Sequence, residues 1–261
     1  MLLVIDVGNT QTVVGLYDTG DRSHRLLDHW RLATRAEYTS DELSLQLRHL
    51  LETRDLDLAT DVRGVAVSSG VPSITFELRR LCERYLELEP VVLGAGVRTG
   101  MPVLYDNPKE VGADRIANAV GAYDLYGGPT IVVNFGTATT FDVISEKGEY
   151  LGGAIVPGIE ISMDALFGRA AALRRVELVE PRSVIGKTTV ESIQSGAVYG
   201  YSALVDGMCQ RIEAVIGEST VIATGGLAGL IAPVATSIEH EEPWLTLHGL
   251  RLIWEKNQDN D

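Results

Sequence analysis

Residues 4 to 12 read V-I-D-V-G-N-T-Q-T, and residues 132 to 140 read V-V-N-F-G-T-A-T-T. Set one over the other, Asp6 falls on Asn134, Gly8 on Gly136 and Thr12 on Thr140. Each segment follows a short apolar run and leads into a second one, the pattern of a strand that turns tightly into its neighbour. Such a repeat, opening two stretches in which strands and helices alternate, predicts a duplicated α/β fold. A tight turn of this kind offers glycine N–H groups and hydroxyls without bulk, which suits close approach of phosphate oxygens. Two such turns could face one nucleotide. Asp6 would then hold magnesium through water, because that ion dehydrates reluctantly, and Asn9, Thr10, Thr12 and Thr137 would meet phosphate oxygens. Either turn taken alone is equally well a plain hairpin, since Gly and Asn are common turn residues.

Outward from the first turn, strands are expected over 2–7, 11–17 and 26–33. Thr39 and Glu42 then form a capping box for a helix with Leu43, Leu47, Leu50 and Leu51 on one face. A strand at 62–68 and a helix at about 72–85 follow. The stretch 93–111 has no periodicity and is the longest loop. After a helix at about 112–125 the order begins again, with the second hairpin and a strand near 149–156. Thr188 and Glu191 suggest another capping box, opening a helix to about Ile216 with Gly217 as its stop. V-I-A-T-G-G-L-A then reads as a strand running into a glycine turn, where Gly225 and Gly226 would let adenosine lie close to the backbone. A helix near 245–255 and a polar tail from Asn257 end the chain. Two lobes are expected, 1–116 and 117–261.

The chain has 261 residues, 45% apolar content and a formal net charge of −14. Ordinary cores can be built from this composition, and the negative balance disfavours nucleic-acid or membrane-surface partners. Cys82 and Cys209 lack metal-ligand spacing and read as buried free thiols. The N-terminus lacks a basic region, and no stretch is long and apolar enough to span a bilayer, so a cytoplasmic location is expected. The glycine turns are not a P-loop: I-G-K-T-T at 185 to 189 lacks the first glycine at the required spacing.

Taken together, the motifs resemble those of the type III pantothenate kinase family. D-V-G-N-T-Q-T-V at 6 to 13 is similar to its first phosphate motif, Y-D-N-P-K-E-V-G-A-D-R at 105 to 115 to its substrate motif, and N-F-G-T-A-T-T at 134 to 140 to its second phosphate motif. G-G-A-I-V-P-G at 152 to 158, G-K-T-T at 186 to 189 and A-T-G-G-L-A at 223 to 228 resemble further family segments. The resemblance implies an α/β, duplicated actin-like/ribonuclease H-like ATPase fold, two lobes with mixed sheets flanked by helices, in the acetate and sugar kinase and actin superfamily. It implies ATP-dependent phosphorylation of pantothenate, the first step of coenzyme A biosynthesis, with Mg2+ and a homodimer. Asp114 is implied as proton acceptor. Tyr105, Gly112, Ala113, Asp114, Arg115 and Thr189 are implied as the pantothenate site. The nucleotide is implied to meet Asp6, Val7, Gly8, Asn9, Thr10, Gln11, Thr12, Val13, Gly136 and Thr137.

These roles suit the chemistry, because pantothenate offers a primary hydroxyl that a carboxylate can orient and an acid group that an Arg can counter. Other readings remain open at this level: a non-catalytic, kinase-like transcriptional accessory factor, or a kinase of the same fold for another small alcohol. A regulator could lose Asp6, Asp114 or the glycine turns, and all of them are present. An isolated A-D-R would read as a helix-start Asp beside an unrelated exposed Arg.

Asn134 stands where the family has an aspartate associated with a monovalent cation such as K+ or NH4+. An amide oxygen can coordinate a cation but adds no net Coulomb attraction. Potassium activation is therefore expected to be weak or absent. Assays in which potassium replaces sodium at constant ionic strength should show little change in turnover, and a steep rise would overturn the expectation.

Overall fold

A computed structural model describes residues 1–20, 24–170 and 173–258. The chain divides into two compact units. The first comprises Met1–Gly100, Asp106–Gly121 and the segment from Thr246; the second comprises Met101–Tyr105 and Ala122–Leu245. The boundary expected at 116/117 falls inside a helix.

The first unit opens with β1 (Leu2–Val7), β2 (Gln11–Tyr17) and β3 (Leu26–Ala33), followed by α1 (Ser40–Glu52), α2 (Leu58–Asp61), β4 (Gly64–Ser69), α3 (Pro72–Leu81) and β5 (Val91–Val92). Its sheet has the order β3-β2-β1-β4-β5, antiparallel from β3 to β1 and parallel from β1 to β5. The alternating residues Leu3, Ile5 and Val7 of β1 are buried with Leu47 and Leu51 of α1 and Ile74 and Leu78 of α3. Each such side chain contributes roughly 1.5–3 kcal/mol of burial. α1 starts as expected: the Thr39 hydroxyl accepts the Glu42 N–H, and the Glu42 carboxylate accepts the Thr39 N–H at 3.0 Å. The helix expected to run to residue 85 changes character at Cys82, where one wide π turn covers Cys82–Leu86 and ends at Glu87 with φ +53°. The short helix α2, capped by Asp57, was not anticipated from the sequence pattern.

α4 (Ala113–Tyr126) starts in the first unit, and its last residues belong to the second. The second unit continues with β6 (Thr130–Phe135), β7 (Ala138–Ile144), β8 (Tyr150–Pro157), α5 (Ile159–Arg169), α6 (Thr189–Ile216), β9 (Thr220–Thr224), α7 (Ala228–Ile231) and β10 (His240–Glu241). Its sheet order, β10-β9-β6-β7-β8, repeats the first with the same parallel and antiparallel senses. The core joins Ile131, Val133, Phe135 and Phe141 of the sheet to Ala197, Val198 and Val205 of α6. The capping box expected at Thr188 and Glu191 forms on one side only. Thr188 accepts the Glu191 N–H at 3.1 Å, while the Glu191 carboxylate takes the Lys187 N–H at 3.0 Å and pairs with Arg182.

The final helix α8 (Leu245–Lys256) returns to the first unit. The approach is close enough that a Cβ on Gly249 would lie 1.8 Å from the Ala117 carbonyl oxygen of α4, and Leu247 lies against Gly15 of β2. Cys82 and Cys209 are buried free thiols, pushed up to about 12 and about 11 by burial. No helix among the described residues is long and apolar enough to cross a membrane.

The repeat is present in three dimensions, with one correction to its alignment. In the first hairpin Val7 pairs with Thr12 and Asp6 with Val13; in the second Phe135 pairs with Thr139 and Asn134 with Thr140. The second turn is one residue shorter, so the structural counterpart of Thr12 is Thr139, and Thr140 matches Val13.

Candidate functional site

In the first unit the turn after β1 is held by its own backbone and by the end of β3. The Gly8 N–H donates to the Gln11 carbonyl at 2.9 Å, and a Cβ on Gly8 would come within 3.0 Å of that oxygen. The Thr34 N–H donates to the Thr10 carbonyl at 3.0 Å, and the Thr12 and Thr34 hydroxyls lie 2.8 Å apart. This leaves Asn9, Thr10 and Gln11 exposed at the tip, with Gly8, Thr12 and Val13 partly covered. Thr34 had no assigned role in the sequence; it directly follows the strand expected at 26–33, whose pairing with β2 brings it to the turn.

Asp6 is the penultimate residue of β1, and its register partner on β4 is Ser68. The residue as a whole is half-buried, yet its carboxyl is shielded from water, and this burial is the main cause that pushes it from an ordinary 3.8 up to about 7. The negative charge of Asp114 adds to the rise, and a hydrogen bond from the buried Ser68 hydroxyl opposes it. Asp114 is the second residue of α4 and is half-buried. Its Oδ1 occupies the space over Gly112: a Cβ there would be 2.6 Å from that oxygen. Gly112 and Ala113 are half-buried beside it, and Arg115 is only 7% exposed, not the surface residue that an isolated A-D-R suggests. Ser68 was missed by sequence reasoning. Its only signal is the S-S-G that follows an apolar strand.

Two carboxylates so placed form a centre that favours a cation. Among the described residues no group of three or more His, Cys, Asp or Glu is arranged to cage a metal ion. That donor set fits magnesium, which binds through one or two carboxylates, its own waters and substrate phosphates.

In the second unit the Gly136 N–H donates to the Ala138 carbonyl at 3.1 Å, and Gly136 and Thr137 are exposed. Two glycines press on this turn from behind. A Cβ on Gly158 would lie 2.3 Å from the Thr137 carbonyl oxygen, and one on Gly225, at φ +95°, would lie 2.5 Å from Asn134 Oδ1. Gly226 beside it is exposed. Tyr105 is 36% exposed, with its ring over Gly152 and 6.5 Å from the Tyr150 ring. Thr189 is exposed at the first position of α6.

A family model described as type III pantothenate kinase matches residues 2–211. A type III pantothenate kinase of Streptomyces avermitilis is 53% identical, covering 98% of this chain and 98% of that protein. One of Moorella thermoacetica is also 53% identical, over 98% of this chain and the whole of that protein. Among solved structures, a Campylobacter jejuni chain described as a Baf family transcriptional activator aligns with TM-score 0.62 at 18% identity, covering 98% of this chain and 99% of that one. An inorganic polyphosphate/ATP-glucomannokinase from Arthrobacter aligns with TM-score 0.52 at 15% identity, covering 98% of each chain. At these identities the structural likeness shows the fold alone.

Two outcomes follow from the carboxylate pair. Asp6 retains its proton in the fold at pH values where an unfolded chain has released it, so its stabilising contribution is full below about 4 and is lost as pH rises through about 7. The melting temperature of nucleotide-free, metal-free protein should therefore fall between pH 5 and 8 more steeply in wild type than in Asp6→Asn; equal slopes would contradict the assignment. Gly112→Ala should displace the Asp114 carboxylate and lower turnover by about 10- to 10²-fold, the scale of a misplaced reacting group, with little change in melting temperature. Wild-type turnover in that variant would show that Asp114 needs no fixed position.

Proposed function

Because the chain belongs to the type III pantothenate kinase family, we propose that it transfers the γ-phosphoryl group of ATP to the primary hydroxyl of pantothenate, giving 4'-phosphopantothenate for coenzyme A biosynthesis. The observation that carries this is the pair Asp6 and Asp114, two carboxylates coupled through space beside a glycine turn. Asp114 orients the acceptor hydroxyl and takes its proton. The transition state of phosphoryl transfer is loose, so orientation and charge neutralisation outweigh strong base catalysis. Asp6 is the residue that would hold magnesium, through water, and the ion would supply charge neutralisation for the transferred phosphoryl group. The backbone and hydroxyls of residues 6 to 13 bind phosphate oxygens, as do Gly136 and Thr137, and Gly225 and Gly226 leave room for adenosine.

Tyr105, Gly112, Ala113, Arg115 and Thr189 complete the pantothenate site, with the buried Arg115 guanidinium as counter-charge to the substrate carboxylate. Asn134 provides at most a neutral oxygen for a monovalent cation. A homodimer is supported by apolar side chains left exposed in the second unit, among them Val184 at 62% and Ile185 at 75%. A cytoplasmic enzyme agrees with the free thiols and with the substrates named.

Purified protein supplied with magnesium and ATP should phosphorylate pantothenate and none of a panel of sugars and small acids. Asp114→Asn should lower kcat by about 10²-fold or more while leaving the melting temperature near wild type, the scale of a lost general base. Turnover of a different acceptor would reject the substrate, and an undiminished rate in Asp114→Asn would reject the base.

A further inference from the structure

Asp142 lies on β7, fully buried inside the second unit, and has no part in the phosphate or proton chemistry above. A buried carboxylate is costly unless hydrogen bonds compensate it, and apolar residues of similar volume often fill such a space at lower cost. Two hydroxyls provide compensation. Tyr150 Oη donates to Oδ1 at 2.8 Å, and Thr140 Oγ1 donates to Oδ2 at 3.1 Å. With both carboxyl oxygens engaged by hydroxyls inside the core, the Tyr150–Asp142 hydrogen bond sets the position of the Tyr150 side chain.

Tyr150 in turn fastens the segment that carries Tyr105. Its N–H donates to the Pro102 carbonyl at 2.8 Å, its carbonyl accepts the Leu104 N–H at 2.8 Å, and Val103 bridges to it in parallel. The Tyr105 ring is tilted at 51° to the Tyr150 ring, with centroids 6.5 Å apart. Its other support is Gly152, at φ +113°, where even a Cβ would reach within 3.3 Å of the ring. Main chain, ring and glycine together support Tyr105 where it lies, and the Tyr150 ring among them is held through its hydroxyl on Asp142.

We propose that Asp142 is a positioning residue for the acceptor substrate: by holding the Tyr150 hydroxyl it fixes the surface against which Tyr105 is set. The role rests on the assignment of Tyr105 to the pantothenate site. Tyr150→Phe removes the hydroxyl but keeps the ring and both backbone hydrogen bonds, and Asp142→Asn replaces one acceptor oxygen by an amide donor at nearly constant shape. In Tyr150→Phe the KM for pantothenate should rise roughly three- to tenfold, the worth of one hydrogen bond, with kcat and the KM for ATP within about twofold of wild type. Asp142→Asn should do the same or more; if it fails to fold, Tyr150→Phe carries the test alone.

A purely structural role would lower the melting temperature and leave the pantothenate KM unmoved, and that result overturns the proposal. The crystal structure of unliganded Tyr150→Phe reads the same claim without substrate: the Tyr105 ring should leave its place over Gly152, and an unmoved ring overturns it. If wild-type protein does not use pantothenate, the substrate assignment fails, and the ring position still decides whether Asp142 acts on Tyr105.

Discussion

A carboxyl shielded from water beside the negative charge of a second one sets the terms for the first unit. Asp6 and Asp114 come from elements far apart in sequence, the second-last residue of a strand and the second residue of a helix. Burial, with the negative charge of Asp114 added to it, works against ionisation of Asp6 and is only partly relieved by Ser68. A cation bound there with phosphate oxygens would favour the ionised form of Asp6. Local structure around it serves the same geometry: Gly112 leaves room for the Asp114 carboxylate, and Thr34 ties the neighbouring turn through backbone and hydroxyl.

The duplication explains why the fold has two such turns and why they differ. Both sheets have the same order and senses, so the strand that ends in a turn lies at the centre of each. In the first unit that strand carries Asp6, and in the second Asn134. The second turn is shorter by one residue and is braced by Gly158 and Gly225, contacts that only residues without a side chain permit. One scaffold thus presents a charged turn and a neutral one. The relatives of known name place the chemistry in a kinase family, while likeness of fold alone extends to a protein described as a transcriptional activator.

Much of this was legible in the residues, for identifiable reasons. Short apolar runs at residues 2–7 and 11–17 on either side of a glycine turn, and helical spacing of Leu43, Leu47, Leu50 and Leu51, are local signals, and the elements they predicted are present. The ungapped overlay of the two turns misassigned Thr140, because register depends on hydrogen bonds across the hairpin, which a one-residue deletion shifts without changing composition. The half-formed cap at Thr188 escaped for a similar reason: Arg182 and the Lys187 N–H compete for the Glu191 carboxylate. Ser68, Thr34, Tyr150 and Asp142 carry no motif of their own. Their roles come from strand pairing and burial, and Ser68 matters only because β4 lies beside β1 in parallel register.

The central claim, that Asp6 and Asp114 form one electrostatic unit, is tested most directly by following the Asp6 carboxyl carbon by 13C NMR through a pH titration of metal-free wild type and Asp114→Asn. Asp6 should titrate near 7 in wild type, and its midpoint should move down toward the ordinary carboxylate range when Asp114 is neutralised. A midpoint near 3.8 in wild type, or one that Asp114→Asn leaves in place, would contradict the account.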